Sequence, residues 1–570
     1  MRRALILAAP LILLLAPAGG LARQGAPGPD ASMANQSQNK PDRAESGASS
    51  LNAKSGAADE PAVGGESKSG TDRRAERARS QKLSNSDIAT APIAEQRVVT
   101  RHTAVIGGRP LAYTATAGTL TIRDDDGKPT ASVFYVAYTA GGGRDGRDSR
   151  RPITFLYNGG PGSSTVWLHM GSLGPVRVRT DSPNATHNAP FDLANNNDSL
   201  LDKSDLVFVD AIGAGFSRPL GDTKLSAFWG TDPDIDAFAR AIERYLTVNN
   251  RWNSPKFIFG ESYGTTRSAG LSYKLQQDGV QLNGVILLSS ILNYGRRDPG
   301  FDQELVNYLP SYAAAAAYHN RLAAPPADPM AYLREVRDWA RGSYALALAK
   351  GEDLSAAERQ AVASQMAAYT GLSARFILDN DLRVAPSRFR KELLRDQRRT
   401  LGRYDDRFTG MDVDAGADSP EYDPSDTGIS GAFVAAFHDY LARELHYATD
   451  LTYRPTHYDR ALHWDFRHAP PGQRGGGDNT NEADVALDLS AAMRENPHLL
   501  VYSLNGIYDL ATPFFGTEYD LAHMQLDPTL RANLRFAYYP SGHMVYLNPQ
   551  ALTSMKADLA RFYDEAAPGG

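Results

Sequence analysis

Residues Phe257-Ile258-Phe259-Gly260-Glu261-Ser262-Tyr263-Gly264 form a short apolar run that ends in Gly-x-Ser-x-Gly. In this pattern a strand turns sharply into a helix and leaves a serine hydroxyl exposed at the tip. The flanking glycines are required because the turn brings backbones too close for a Cβ and strains the serine's dihedrals. With 50 glycines in 570 residues a chance match is unremarkable, so the context must decide. Lys256 to Phe259 reads as a buried parallel strand. Thr265 to Gln276 carries helix-like apolar spacing at Ala269, Leu271, Tyr273 and Leu275, without a proline. The competing reading, a plain buried serine at a helix start, is tested by whether partners for catalysis exist.

Upstream, Arg97 to Ile106, Arg109 to Ala117, Gly118 to Arg123 and Ala131 to Thr139 alternate apolar and polar residues between Gly-Gly and Asp-Asp-Asp-Gly turns, which predicts a β-meander. Gly141 to Arg151 is glycine-rich, but no Gly-Lys-Ser/Thr follows, so it reads as a solvated turn. The strand Ile153 to Tyr157 runs into Asn158-Gly-Gly-Pro-Gly-Ser-Ser164. Such a loop exposes backbone N–H groups at a strand's carboxyl end, where open α/β sheets bind ligands and hydrolases place an oxyanion donor. Leu206 to Asp210 is a further strand. Thr231-Asp232-Pro233 then caps a helix with Ile235, Phe238, Ile242 and Tyr245 on one stripe, and Gly284 to Ser290 is the strand after the elbow. This alternation of strand and helix predicts an α/β fold with a mostly parallel sheet.

From about Tyr294 to Tyr447 the texture becomes Ala-rich and Arg/Glu-rich, and Ser311 to Leu322, Met330 to Ala349 and Ser355 to Thr370 read as helices. We expect a helical cap insertion over residues 294–447 that divides the α/β core into 97–293 and 448–570. A Gly- and Asn-rich loop, Gly472 to Asn481, precedes the return of the sheet at Leu499 to Leu504 and Leu534 to Tyr538, and Pro549 to Tyr563 closes the chain as a helix.

The N-terminus is of another kind. Met1-Arg2-Arg3 and the apolar Ala4 to Ala18, with small residues at Gly20-Leu21-Ala22, predict a signal peptide over residues 1–22 and hence export, periplasmic or secreted, without stable membrane insertion after cleavage. Residues 23–96 have almost no large apolar side chains and no periodicity, so they are expected to be a disordered leader. The chain has no cysteine, which excludes disulfides, cysteine nucleophiles and thiolate metal sites. A net charge of −6 gives no reason to expect a nucleic-acid partner. No metal is implied: no His-Glu-x-x-His or comparable spacing occurs, and His457, His463 and His468 read as surface residues. No cofactor is expected.

A serine nucleophile needs a base, and the base needs an orienting carboxylate. Among 12 histidines, His543 stands in Ser541-Gly542-His543-Met544 just after the last strand, and Asp509 follows the preceding strand in Asn505-Gly506-Ile507-Tyr508-Asp509. Serine, aspartate and histidine in that chain order, each after a strand, is the arrangement of the α/β-hydrolase fold. Asp520 and Asp527 are alternative carboxylates, further from a strand end.

These motifs, with Leu173-Gly174-Pro175 and Asp210 to Ser217, resemble in order the signatures of the serine carboxypeptidase family, in a bacterial-type member, over roughly Arg97 to Phe562. The resemblance implies that Ser262 attacks the last peptide carbonyl, with His543 as base and Asp509 holding the imidazole. It implies an oxyanion hole from the backbone N–H groups of Gly160 and Tyr263. Asn158 and Glu261 would bind the free C-terminal carboxylate of a peptide substrate. A glutamate beside a substrate carboxylate must share a proton with it, which raises its pKa and favours acid pH. Three departures stand out. Ser172 replaces the family's second carboxylate-binding glutamate, Ser163 replaces a cysteine, and Gly264-Thr-Thr-Arg267 replaces Ala-Gly-His-Tyr. Arg267 reads either as a helix-surface residue or as a compensating carboxylate partner. The Ser172 departure motivates an alternative function, an esterase or acyltransferase-like serine hydrolase with the same triad and relaxed carboxylate recognition. A non-catalytic scaffold is the third reading, against which the intact Ser262, Asp509 and His543 argue.

Overall fold

The alternating N-terminal segments and the continuous apolar runs meet in one sheet. The computed structural model describes residues 90–141, 150–297, 300–457, 463–472 and 481–568. The expected signal peptide, most of the expected leader and most of the two glycine-rich loops at 141–151 and 472–481 lie outside the described residues. The strands are β1 (Arg97–Ile106), β2 (Arg109–Arg123), β3 (Pro129–Ala140), β4 (Ile153–Tyr157), β5 (Asp205–Val209), β6 (Lys256–Glu261), β7 (Gly284–Leu288), β8 (Leu500–Gly506) and β9 (Leu534–Tyr539). Their order across the sheet is β1-β2-β3-β5-β4-β6-β7-β8-β9. The first three pair antiparallel, β3 meets β5 antiparallel, and every neighbouring pair from β5 to β9 is parallel.

Every residue of β4, β5, β6 and β7 is buried, because helices cover both faces; this is why these strands read as unbroken apolar runs. Successive side chains serve opposite faces. Leu156, Phe257, Phe259 and Ile286 pack with Val166–Gly171, Pro424–Arg443 and Pro549–Ala566. Phe155, Ile258, Val285 and Leu287 pack with Thr231–Val248, Tyr263–Gln277 and Ala486–Glu495. The chain passes from β4 to β5 on one side and returns to β6 on the other. The sheet therefore reverses its winding at β4, and an open α/β sheet forms its crevice at the carboxyl ends beside such a point. The mostly parallel sheet with this strand exchange, an N-terminal meander and helices on both faces is the α/β-hydrolase fold.

Four details differ from the sequence reading. Gly118 does not separate two strands, since β2 runs through it; the glycine leaves room for the Gln96 carbonyl, which accepts from Thr119 N at 3.0 Å. The leader does not extend to residue 96. Thr121 donates to the Ile93 carbonyl at 2.6 Å, and Arg244 holds Glu95 at 2.8 Å. The helix beginning at Thr231 has Gly230 at its N-cap and no side-chain cap. Finally, the segment 294–447 does not pack as one body. Side chains from Val306 to Leu401 form a separate core with Ile507, Leu510, Phe514 and Phe515. Phe408, Phe433, Phe437 and Tyr440 instead join the core beneath the sheet.

Candidate active site

Ser262 follows β6 and is the N-cap of the helix Tyr263–Gln277, with φ 62° and ψ −131°. A non-glycine residue in this region is strained, and the strain is held by the buried residues on either side, Glu261 and Tyr263, while Ser262 itself is half-buried. Gly260 and Gly264 permit it: a Cβ on Gly260 would run into the Gly264 carbonyl. The elbow faces a cavity of about 250 Å³ whose walls include Asn158, Gly160, Glu261, Ser262, Tyr404 and His543.

His543 and Asp509 come together as the sequence predicts. His543 Nδ1 lies 2.7 Å from Asp509 Oδ2, and both side chains are buried. The other carboxylate oxygen of Asp509 accepts from Ala511 N at 2.7 Å and Thr512 N at 3.0 Å. The Thr512 hydroxyl lies 2.8 Å from Asp509 Oδ2, 2.9 Å from the Ser289 carbonyl and 3.1 Å from His543 Nδ1. Burial alone would depress the His543 pKa, but the adjacent Asp509 carboxylate outweighs it and the net direction is upward. The carboxylate thus fixes the ring so that Nε2 is the nitrogen left for the serine. The alternative carboxylates are engaged elsewhere: Asp520 pairs with buried Arg296, and Asp527 caps the turn at Thr529 N at 2.8 Å.

Sequence reasoning missed the support of this dyad. Leu510 N donates to the Arg403 carbonyl at 3.0 Å and His543 N to the Tyr404 carbonyl at 2.6 Å. The Tyr404 ring lies 5.2 Å from that of His543. A short segment from the middle of the chain thereby ties the aspartate loop to the histidine loop. Nothing in the residue types of Arg403 and Tyr404 announces that role.

Asn158 follows β4, and its Oδ1 accepts from Leu168 N at 2.9 Å, which orients the amide. Gly159 packs flush against the elbow, because a Cβ there would stand 2.6 Å from Tyr263 Cα and still closer to Tyr263 N. The loop therefore brings Gly160 onto the cavity beside the first turn of the helix Tyr263–Gln277, whose N-terminal N–H groups carry the positive end of its dipole. Glu261 is only 2% exposed, and the Tyr546 hydroxyl donates to its two carboxylate oxygens at 3.2 and 2.9 Å. Burial raises its pKa to about 7, against the lowering effects of His543, Tyr546 and Asn158.

Two departures resolve differently from either sequence reading. Ser172 does not line the cavity; it is buried, and its hydroxyl donates back to the Leu168 carbonyl. Arg267 is neither on the surface nor at the cavity wall. It is 0% exposed, donates to Asp234 at 2.7 and 3.2 Å and to the Asn158 carbonyl at 2.8 Å, and lies 4.0 Å from the Phe238 ring centroid. It is a strut beneath the loop. His457 and His468 are buried rather than at the surface, while His463 is exposed. His468 bridges Asp232 at 2.5 Å and Asp488 at 2.8 Å.

Residues 108–295 match the family model described as serine carboxypeptidase. No curated protein matches the sequence. Among solved structures the chain is similar to Kex1(delta)p, a prohormone-processing carboxypeptidase from Saccharomyces cerevisiae, at 16% identity and TM-score 0.44, over 79% of this chain and 91% of that one. It is also similar to a proline iminopeptidase from Mycobacterium smegmatis at 14% identity and TM-score 0.33, over 79% and 98% of the two chains.

Proposed function

We propose that this chain is a serine-type carboxypeptidase of the family whose model matches residues 108–295, and that it releases the last residue of a peptide through an acyl-enzyme on Ser262. His543 takes the Ser262 proton as the hydroxyl attacks the last peptide carbonyl, and Asp509 stabilises the imidazolium that forms. The backbone N–H groups of Gly160 and Tyr263 receive the oxyanion. His543 then returns the proton to the leaving amine, and water repeats the sequence to free the shortened peptide. Asn158 and Glu261 hold the substrate's terminal carboxylate. The observation that carries this reading is a buried glutamate beside the elbow serine, on a shared cavity, with a carboxyl pushed to about 7. Protonated, it donates to an incoming carboxylate; ionised, it repels one.

The test compares a blocked dipeptide with its C-terminally amidated twin across pH 5 to 9. We expect rapid release from the free acid, falling as pH rises through about 7, no such limb for the amide, and no release from either by Ser262→Ala. Equal rates on the two substrates at every pH would overturn the reading in favour of a general serine hydrolase. Among the described residues no helix is long and apolar enough to cross a membrane. We further propose that residues 1–22 direct export to the periplasm or the medium and that residues 23–89 act as a leader. Detection of the mature N-terminus in an exported fraction checks this.

A further inference from the structure

The Ser172 departure leaves a question that the cavity answers from behind. A carboxylate-binding glutamate needs a hydrogen-bonded neighbour that fixes its rotamer, because a buried carboxyl without one pays a desolvation cost with no compensation. A second acid at Ser172 is absent, and the serine hydroxyl is turned onto the Leu168 carbonyl. The neighbour is supplied three residues after the catalytic histidine. Tyr546 is 0% exposed and does not reach the cavity wall, and its hydroxyl donates to both oxygens of Glu261. Space for the ring is built by the residue beside Ser172: a Cβ on Gly171 would stand 2.6 Å from Tyr546 Cε2. The same chain segment that lacks the acid therefore accommodates the phenol.

We propose that Tyr546 is a positioning residue for recognition of the substrate's terminal carboxylate, holding Glu261 through its phenol where Ser172 provides no second acid. This rests on the reading of Glu261 given above. A phenol differs from an acid in one respect that matters. It stays protonated and donating throughout the working pH range, since burial and the Glu261 carboxylate both push its pKa upward. It therefore always favours the ionised form of Glu261, and the proton for carboxylate recognition must be held by Glu261 itself or arrive with the substrate. The other groups facing Glu261 are Asn158, which hydrogen-bonds it, and the charges of His543 and Asp509. Asp426 is the remaining carboxylate on the cavity.

Tyr546→Phe removes the donor and leaves the ring. We expect the free-acid limb of kcat/KM to move up by about one pH unit, the size of losing one hydrogen bond that favours the ionised form. The KM for the free acid should rise about tenfold, so that the acid-to-amide selectivity falls. A fluorinated tyrosine at 546 is a stronger donor of the same shape and should move the limb to lower pH. In a Glu261→Gln background, Tyr546→Phe should add nothing to selectivity or limb. Labelling of Ser262 by a fluorophosphonate reports that each variant is folded, and the fluorinated protein answers the question should Tyr546→Phe fail to fold. An unmoved limb in both Tyr546 variants, or an equal loss on acid and amide, overturns the proposal. A wild-type enzyme that does not distinguish acid from amide instead overturns the reading beneath it, whatever Tyr546 does.

Discussion

Arg267→Met tests whether a buried ion pair holds up the loop that carries Gly159 and Gly160. The guanidinium is fully enclosed, and its partner Asp234 is 4% exposed. Removing the cation leaves a buried carboxylate without its counter-charge, a change that costs about 3–5 kcal/mol. The lost bond to the Asn158 carbonyl falls within that figure rather than adding to it. Against a total stability of about 5–15 kcal/mol for a folded protein, the variant should give up a fifth or more of its margin. The penalty also has a pH signature. Burial already pushes the Asp234 carboxyl upward, with Arg267 opposing it. Without the arginine the folded-state value rises further above the unfolded one. The destabilisation is then greatest at neutral and alkaline pH and shrinks as the pH falls and the carboxyl takes up a proton. Urea unfolding followed by tryptophan fluorescence at pH 5 and 8 measures this, and the rate of Ser262 labelling measures the loop. Arg267→Met with Asp234→Leu should recover at least half the loss, since an apolar pair of similar volume often replaces a buried ion pair without penalty. A single-variant cost under about 1 kcal/mol, or a double variant no better than the single, would refute the strut.

Two further changes bear on other parts of the molecule. Gly159→Ala places a methyl against the Tyr263 backbone, and neither side is a side chain that swings away. The Gly160 N–H should be displaced and kcat should fall about 100- to 1000-fold, as for loss of one oxyanion donor, with KM nearly kept; near-normal kcat would show that the loop yields. His468 has its pKa raised to about 10 from 6.5: burial opposes the charge, but Asp232 and Asp488 more than compensate. Its folded value lies above the unfolded one, so its contribution to stability is complete below about 6.5 and is lost as pH rises toward 10. His468→Asn should therefore flatten the decline in urea midpoint over that interval; a parallel decline would assign the pH dependence elsewhere.

What the sequence made legible was whatever depends on a residue's own chain neighbours. The elbow is local: a strand, a strained serine and glycines where backbones touch. Asp509 and His543 could be found because the order of strands constrains where loops emerge, and each follows a parallel strand closely. The boundary at Gly118 and the reach of the leader failed because partners far along the chain decide them, Gln96 on one side and Arg244 on the other. Arg267 failed for the same reason in a sharper form. Its chemistry, a permanent charge on a helix, points to solvent unless an acid lies in a second buried segment. Asp234 sits 33 residues earlier, within a helix stripe that reads as ordinary amphipathic pattern. Tyr546 is the converse case. It stands three residues from His543, in plain view, yet an aromatic residue after a strand is most simply a core residue. Only the absence at Ser172, read together with the empty Cβ position of Gly171, makes its hydroxyl informative. A departure from a family's pattern is thus best read as a vacancy to be traced in space, since the group that answers it need not be near it in the chain.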